Sequence, residues 1–378
     1  MYKICHMTSA HSSEDVRIFH KECASLAKRE DFDVYLVATG ESREEAGVHV
    51  LGIGPKPSGR LERMKETAKR VYEKALSLDA DIYHFHDPEL LPYGAKLAKK
   101  GYAVVFDSHE MVKEQILIKP YLPRFTRKPI AGLYGALESH WLKHVSGIIA
   151  PCSYHGRHPF EGRTKRAVYV NNTPKLDEFY DAFRGEGRDF TGEPVACYVG
   201  SLAPNRGITE LIDGCCLAGV RLILAGTFET EDYRRMLEAK PSYGIVDYRG
   251  YCSREQVAGI YREATVGAST ILNIGQYANL ENLPTKVYEY MAVGLPIVMT
   301  DFAFGRKENE AYHFAELVDP ADPEDIAEKL RLLKEHPERA EQLSRNGRKV
   351  FEERYNWGVD EARLYALYDD ILEEKNHE

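Results

Sequence analysis

The sequence predicts an α/β protein built from two doubly wound, Rossmann-like parallel-sheet domains facing across a cleft. Three observations carry this. Short β-branched and aromatic runs alternate with longer helical stretches, the pattern of parallel strands joined by crossover helices. The alternation stops over 171–194, a stretch rich in Asn, Asp, Gly and charge, and then restarts. The 378 residues suit two such domains better than one.

In the first half, strands are expected at Tyr2–Met7, Val34–Ala38, Val48–Leu51, Ile82–Phe85, Ala103–Asp107, Gly147–Ala150 and Ala167–Val170. Helices are expected at Glu14–Lys28, Leu61–Leu78 and Pro129–His144. The second half reads as strands at Val195–Val199, Val220–Leu224, Ile245–Tyr248, Val266–Ser269, Pro296–Met299 and Glu316–Val318, with an amphipathic helix from Trp357 to Glu373. This places a first domain at 1–175, a linker at 176–194 and a second domain at 195–355. Ligands of such sheets bind outside the carboxyl ends of the strands, so the loops there are where chemistry is expected.

Composition narrows the class. With 43% hydrophobic and 29% charged residues the chain reads as an ordinary soluble globular protein. No apolar run approaches a membrane span, and the start lacks the apolar core of a signal peptide. Seven cysteines without Cys-x2-Cys spacing fit free thiols in a reducing cytoplasm. A net charge of −9 argues against nucleic acid as a partner. The charge is uneven, however: residues 113–166 hold ten Lys and Arg against three Glu, interleaved with Tyr121, Leu122, Phe125, Tyr134 and Trp141. That mixture suits peripheral contact with an anionic membrane face, and equally a solvated basic surface.

The most informative stretch is Leu280-Glu281-Asn282-Leu283-Pro284-Thr285-Lys286-Val287-Tyr288-Glu289-Tyr290-Met291-Ala292-Val293-Gly294-Leu295-Pro296. Pro284 suits the first position of a helix, and Gly294 followed by Pro296 suits its end. Glu281 then precedes the helix and Glu289 lies about a turn and a half inside it. The N–H groups near Leu283 to Lys286 form the positive end of the helix dipole, and Lys286 adds a full charge, which together make an anion site. Glu289 is an acceptor for hydroxyls. A phosphate at the helix tip, a diol beside it and a second carboxylate in front describe a nucleotide-sugar.

Glu-x7-Glu followed by Tyr-Met-Ala-x-Gly-x-Pro resembles the donor motif of the retaining, GT-B-fold glycosyltransferases of the large family 4 group. The resemblance implies that Glu289 binds the ribose hydroxyls, that Glu281 faces the transferred sugar, and that the backbone of Asn282, Leu283, Pro284 and Thr285 with Lys286 holds the diphosphate. Many members carry Gly where this chain has Pro284. The resemblance also implies that the last helix, over 356–378, returns to complete the first domain.

Other loops extend this reading. Tyr198-Val199-Gly200-Ser201-Leu202-Ala203-Pro204-Asn205-Arg206-Gly207 leads from a strand to a helix. Gly200 allows close backbone approach, and Arg206 stands where it can fork two phosphate oxygens. The family loop is Gly-Arg-x4-Lys-Gly; Arg206 takes the lysine position, and Ser201 replaces the arginine, leaving Lys286 to substitute. Tyr251 and Cys252 fall on the loop that lines the base pocket in the family. In the first half, His86-Asp87 and His109 end adjacent strands as a polar wall, and by resemblance His109 matches a histidine near the reacting sugar. These histidines are read as part of a carbohydrate-binding wall, and no metal or other cofactor is expected. Ser12 and Ser13 stand where many members have Gly-Gly, while Asp15 and Arg17 are candidates for acceptor contact or for plain helix capping.

The resemblance thus implies a hexosyltransferase with His109, Glu281, Lys286 and Arg206 at the reacting centre. It would move a sugar from a nucleoside-diphosphate donor, such as a UDP-sugar, to a glycan or lipid-linked acceptor in cell-surface polysaccharide biosynthesis. A hydrolysing nucleotide-sugar epimerase on the same fold is the alternative. The base, the sugar and the acceptor are not readable from the residues.

Overall fold

A computed structural model describes residues 1–119, 122–179 and 188–377. The chain forms two compact units, Met1–Asn172 with Val359–Glu378, and Thr173–Gly358. Residues 180–187 of the expected linker, and Tyr121 of the basic stretch, lie outside the described residues.

Among the described residues, the first unit holds eight strands in one sheet: β1 (Tyr2–Ser12), β2 (Phe32–Thr39), β3 (Arg43–Glu45), β4 (Val48–Gly52), β5 (Ile82–Phe85), β6 (Ala103–Asp107), β7 (Gly147–Ala150) and β8 (Ala167–Tyr169). Their order is β3-β4-β2-β1-β5-β6-β7-β8. All neighbours are parallel except β3, which pairs antiparallel with β4 at the edge. Arg43-Glu44-Glu45 shows no apolar alternation, and β3 exists because its backbone pairs with β4. Central strands such as β5 and β7 are buried throughout, as expected for strands covered on both faces. The last helix, Trp357–His377, buries Leu364, Leu367, Tyr368 and Ile371. It is tied to the first unit by ion pairs from Arg29 to Asp369 and from Lys375 to Asp81, both 2.6 Å.

One helix departs from expectation. In place of a regular helix over Glu14–Lys28, residues Val16–Cys23 wind as a π-helix that continues as Ala24–Leu26. Residues five apart on an α-helix are turned about 140° from each other. The i→i+5 bonding of a π-turn returns them to one face. This lets Arg17 and Glu22 both point inward, with Arg17 Nε 3.0 Å from Glu22 Oε1.

The second unit holds β9 (Val195–Val199), β10 (Arg221–Ala225), β11 (Val246–Gly250), β12 (Val266–Ser269), β13 (Ile297–Thr300) and β14 (Ala315–Val318). Among the described residues their order is β11-β10-β9-β12-β13-β14, all parallel. This is the doubly wound 3-2-1-4-5-6 arrangement, with its switch point between β9 and β12. The helix Thr285–Ala292 lies over that point. Its Tyr290 ring covers Gly267 of β12, where an added Cβ would stand 2.4 Å from the ring. The Tyr290 hydroxyl lies 3.2 Å from the carbonyl of Cys197 in β9 and 3.1 Å from that of Ala268 in β12. One tyrosine therefore seats the helix on both strands of the switch point.

Gly267→Ala should force the ring off the sheet. Overpacking of this kind costs about 1–3 kcal/mol. Thermal unfolding should show a fall in Tm of roughly 2–4 °C per kcal/mol; an unchanged Tm would mean the ring is not held against Gly267.

Candidate active site

The informative loops of the second unit meet at its switch point. β9 is followed by Gly200, whose φ of +145° lies outside the range that side chains favour. Opposite it, Gly226 approaches so closely that a Cβ there would lie 1.8 Å from the Gly200 carbonyl oxygen. Gly207 (φ +67°) starts the helix Ile208–Ala218, and a Cβ on it would fall 1.9 Å from the Thr270 carbonyl oxygen. Glycine at these positions is what lets the loops after β9, β10 and β12 come together.

Lys286 and Arg206 stand in this place. Lys286 Nζ lies 4.4 Å from the centre of the buried Tyr198 ring and 3.5 Å from where a Gly200 Cβ would be. The Arg206 guanidinium lies 4.9 Å from the centre of the Tyr277 ring. Among the described residues neither cation has a carboxylate within ion-pair distance; both rest on aromatic faces. Burial, with Arg206 adding to it and Glu289 opposing, pulls Lys286 down to about 8. Two adjacent, partly buried, unpaired cations form a place for an anion.

The helix itself begins at Thr285, with Pro284 as its N-cap in extended backbone (ψ 141°), one position earlier than expected of a first-turn proline. The N–H of Leu283, expected to be free, instead donates to the Tyr288 hydroxyl at 3.2 Å. The same hydroxyl donates to Asn282 Oδ1 at 2.5 Å, and Leu283 itself is buried. The N–H of Val287 goes to the Pro284 carbonyl. The donors at the helix tip that can meet an anion are thus those of Thr285 and Lys286, which have no carbonyl of their own helix to bond.

Glu289 is buried and fixed by two residues that the sequence did not single out. Its Oε1 accepts from Arg254 at 2.9 Å and its Oε2 from the Tyr261 hydroxyl at 2.5 Å. Arg254 also pairs with Glu178. It sits at the first position of a helix, just after Ser253, whose capping box with Gln256 sets the helix start. A basic residue directly after a capping Ser is the signal that could have flagged it. With two hydrogen bonds in place, the carboxylate keeps further lone pairs for other donors. Glu281 is exposed, as are Ser201 and Tyr251, the last at 84%. Cys252 is partly buried beside Tyr251.

In the first unit the polar wall is a network. Asp87 Oδ2 accepts from the Thr8 hydroxyl (2.8 Å) and from the backbone N–H of Ser9 (2.6 Å) and Ala10 (3.1 Å). This joins the C-terminal part of β1 to the loop after β5, the strands at this unit's own switch point. His109 Nε2 lies 2.8 Å and His86 Nδ1 3.2 Å from Asp107 Oδ2. Burial alone would push Asp107 up, but Arg17 and His109 outweigh it and hold it well below the usual carboxylate range. Burial pulls His86 down to about 4.

Arg17, a candidate for acceptor contact or helix capping, is buried, and its guanidinium forks both oxygens of Asp107 at 2.8 and 2.9 Å. Asp15 acts as a helix cap, accepting from the N–H of Arg17 and Ile18, with His11 at 3.2 Å. Ser13 is buried and accepts from Arg43 at 3.1 Å, whereas Ser12 is partly exposed and accepts from the N–H of Glu14. Of the wall, His109 has its ring partly exposed (17%).

Residues 17–158 match the family model described as Glycosyltransferase Family 4, and residues 180–350 match Glycosyl transferases group 1. Among solved structures, a sucrose-phosphate synthase from Thermosynechococcus elongatus superposes with a TM-score of 0.76 at 16% identity, covering 99% of this chain and 100% of that one. HepE of Anabaena in complex with UDP and glucose gives 0.70 at 15% identity, covering 98% and 100%. An α,α-trehalose-phosphate synthase from Burkholderia xenovorans gives 0.65 at 14%, covering 97% and 100%. The fold is GT-B. No curated protein matches the chain significantly in sequence.

The two family models together cover the cluster of the second unit and, in the first, Arg17, His86, Asp87, Asp107 and His109. The unpaired cations yield a test that needs no ligand. The neutral, acylatable fraction of Lys286 should rise with a midpoint near pH 8, against about 10.4 for ordinary lysines. Removing the neighbouring charge in Arg206→Gln should move that midpoint upward. Competitive acylation read by mass spectrometry measures both; a Lys286 that titrates with the surface lysines contradicts the electrostatic picture.

Proposed function

We propose that this protein is a retaining hexosyltransferase that uses a nucleoside-diphosphate sugar. The observation that carries the reading is the pair Lys286 and Arg206, unpaired among the described residues, at the tip of a helix whose Glu289 is already oriented by Arg254 and Tyr261. The diphosphate would lie on the two cations, the N–H groups of Thr285 and Lys286 and the backbone of Gly200. The ribose diol would donate to the free lone pairs of Glu289, the base would border Tyr251 and Cys252, and the sugar would face Glu281 and Asn282. HepE, solved in complex with UDP and with UDP-glucose, supports a uridine donor by analogy of fold.

The first unit would hold the acceptor, a glycan or lipid-linked sugar, at His109, Asp87 and Ser12; His86, buried beneath them, would not touch it. In the reaction the acceptor oxygen forms a bond to the anomeric carbon on the face that the diphosphate leaves. The bond to the diphosphate oxygen breaks, and that oxygen takes the acceptor proton. Lys286 and Arg206 stabilise the negative charge growing on the leaving group, and being already in place they need not reorganise.

A role in cell-surface polysaccharide synthesis would bring the protein to a membrane. No helix among the described residues is long and apolar enough to cross one. The helix Arg124–Leu142 in the basic segment nevertheless exposes Phe125 (83%), Ile130 (40%), Leu133 (64%) and Leu137 (40%). Apolar residues at this spacing, flanked by Arg124 and Lys128, suit the surface of an anionic bilayer.

A thermal-shift screen of UDP-, GDP- and ADP-sugars should reveal one base, with about 2.7 kcal/mol of added stability at 100 times the dissociation constant. Lys286→Ala and Glu289→Ala should each lower turnover roughly 10²- to 10³-fold. Near-normal transfer by Glu289→Ala would refute the assignment, and release of an altered free sugar from donor alone would favour an epimerase. Phe125→Glu with Leu133→Glu should abolish co-sedimentation with phosphatidylglycerol vesicles while leaving the fold intact; unchanged sedimentation would remove the membrane role.

A further inference from the structure

Beneath the polar wall of the first unit lies a second cluster that the reading above does not use. His6 of β1, His84 and His86 of β5 and Glu22 of the π-helix are all buried. One ligand-type atom from each of the four lies within 4.8 Å of the others. His6 Nδ1 is 3.0 Å from His86 Nε2, and the Nε2 atoms of His84 and His86 are 3.9 and 4.0 Å from Glu22 Oε2.

Two features set this cluster apart from an ordinary buried network. Glu22 Oε2 and His84 Nε2 face each other at 0% exposure with no hydrogen-bond partner, too far apart to bond directly. Leaving such buried atoms unpaired is unfavourable. The outer side of each imidazole, in contrast, is occupied. His84 Nδ1 lies 2.8 Å and His6 Nε2 3.2 Å from the Tyr368 hydroxyl oxygen, and His86 Nδ1 lies 3.2 Å from Asp107 Oδ2. In the tautomers that donate from these outer nitrogens to Tyr368 and Asp107, the lone pairs of His84 Nε2 and His86 Nε2 face Glu22 and that of His6 Nδ1 faces His86 Nε2, a close approach of two lone pairs that a shared ion would relieve. Metal-binding histidines are oriented in this way by partners outside the metal.

We propose that His6, His84, His86 and Glu22 form a closed structural site for one divalent first-row transition ion, with zinc the best fit. Three neutral imidazoles and one carboxylate supply a four-coordinate set of the right hardness. Donors on a tetrahedron with bonds of about 2.1 Å are about 3.4 Å apart, within the range of the separations here. Small side-chain rotations complete the contraction. The π-winding of Val16–Cys23 contributes by turning Glu22 inward on the same face as Arg17. No member of the set reaches solvent, so the ion would brace β1, β5 and the π-helix and take no part in transfer.

The test uses the full chain, unfolded and refolded with zinc, with cobalt(II) or with chelator. The refolded wild type should retain about one zinc per chain after gel filtration. Its cobalt form should show the intense visible bands of a tetrahedral site, and the metal-loaded protein should melt higher than the chelated one. His84→Phe and Glu22→Gln should lose the ion and the bands, whereas His109→Ala, outside the set, should keep both. Because a core variant can fail to fold, the wild-type zinc content and cobalt spectrum decide by themselves. A refolded wild type that carries no zinc above background and gives no tetrahedral cobalt bands overturns the site, as does a folded His84→Phe that keeps the ion. None of these readouts depends on sugar transfer.

Discussion

Two like charges brought together at one sheet switch point are the constraint around which the second unit is arranged. Lys286 and Arg206 repel each other, and partial burial weakens the hydration that would otherwise offset this. The structure answers without a carboxylate partner: each cation rests on an aromatic ring, Tyr198 under Lys286 and Tyr277 under Arg206. An aromatic face attracts a cation weakly, by about 0.5–2 kcal/mol, and leaves its outward side unoccupied. A carboxylate in the same position would neutralise the charge and close the site to an anion. Glu289 is near enough to support Lys286 electrostatically, yet its hydrogen bonds go to Arg254 and Tyr261. The arrangement holds the two positive charges in place and leaves both available.

The first unit meets the opposite problem, since carboxylates and imidazoles are buried together there. Asp107 is compensated fully by the forked Arg17 and by His109, and so stays ionised. Glu22 is compensated poorly. Burial and the charge of Asp107 raise it well above an ordinary carboxyl, and the one nearby cation, Arg17, is hydrogen-bonded elsewhere. A single guanidinium facing two carboxylates can satisfy one of them well. The imbalance makes the inner cluster unlike the polar wall above it, where each member has a partner.

What the sequence made legible was local. The alternation of strands and helices, the glycines that allow close loop approach and the charged tip of Thr285–Ala292 all follow from residues within a few positions of each other. The residues that orient the chemistry come from far along the chain. Arg254 reaches Glu289 from 35 positions away, and Arg17 reaches Asp107 from 90. Nothing in the local pattern of either stretch marks the partner. The burial of Arg17 was hidden for that reason: a basic residue in a strand-to-helix loop looks exposed until Asp107 is placed beside it. The π-helix was equally invisible, because period-3.6 patterning cannot express a face made by residues five apart. Pro284 sits one position earlier in the helix than expected because its ψ of 141° keeps it outside the first turn.

Ser201 shows how one substitution is absorbed by its surroundings. In the resembled loop an arginine at that position would add a third positive charge to the clamp. Here the Tyr198 hydroxyl donates to the Ser201 carbonyl at 3.0 Å, fixing the loop from below, and the same ring carries Lys286 on its face. An arginine at 201 would stand near two cations already short of hydration, and each further like charge would draw Lys286 still lower. Serine avoids that repulsion while leaving the loop backbone in place. The clamp then has fewer charges, but Lys286, though drawn down to about 8, still carries most of its positive charge at neutral pH, and an anion beside it would favour the charged form further.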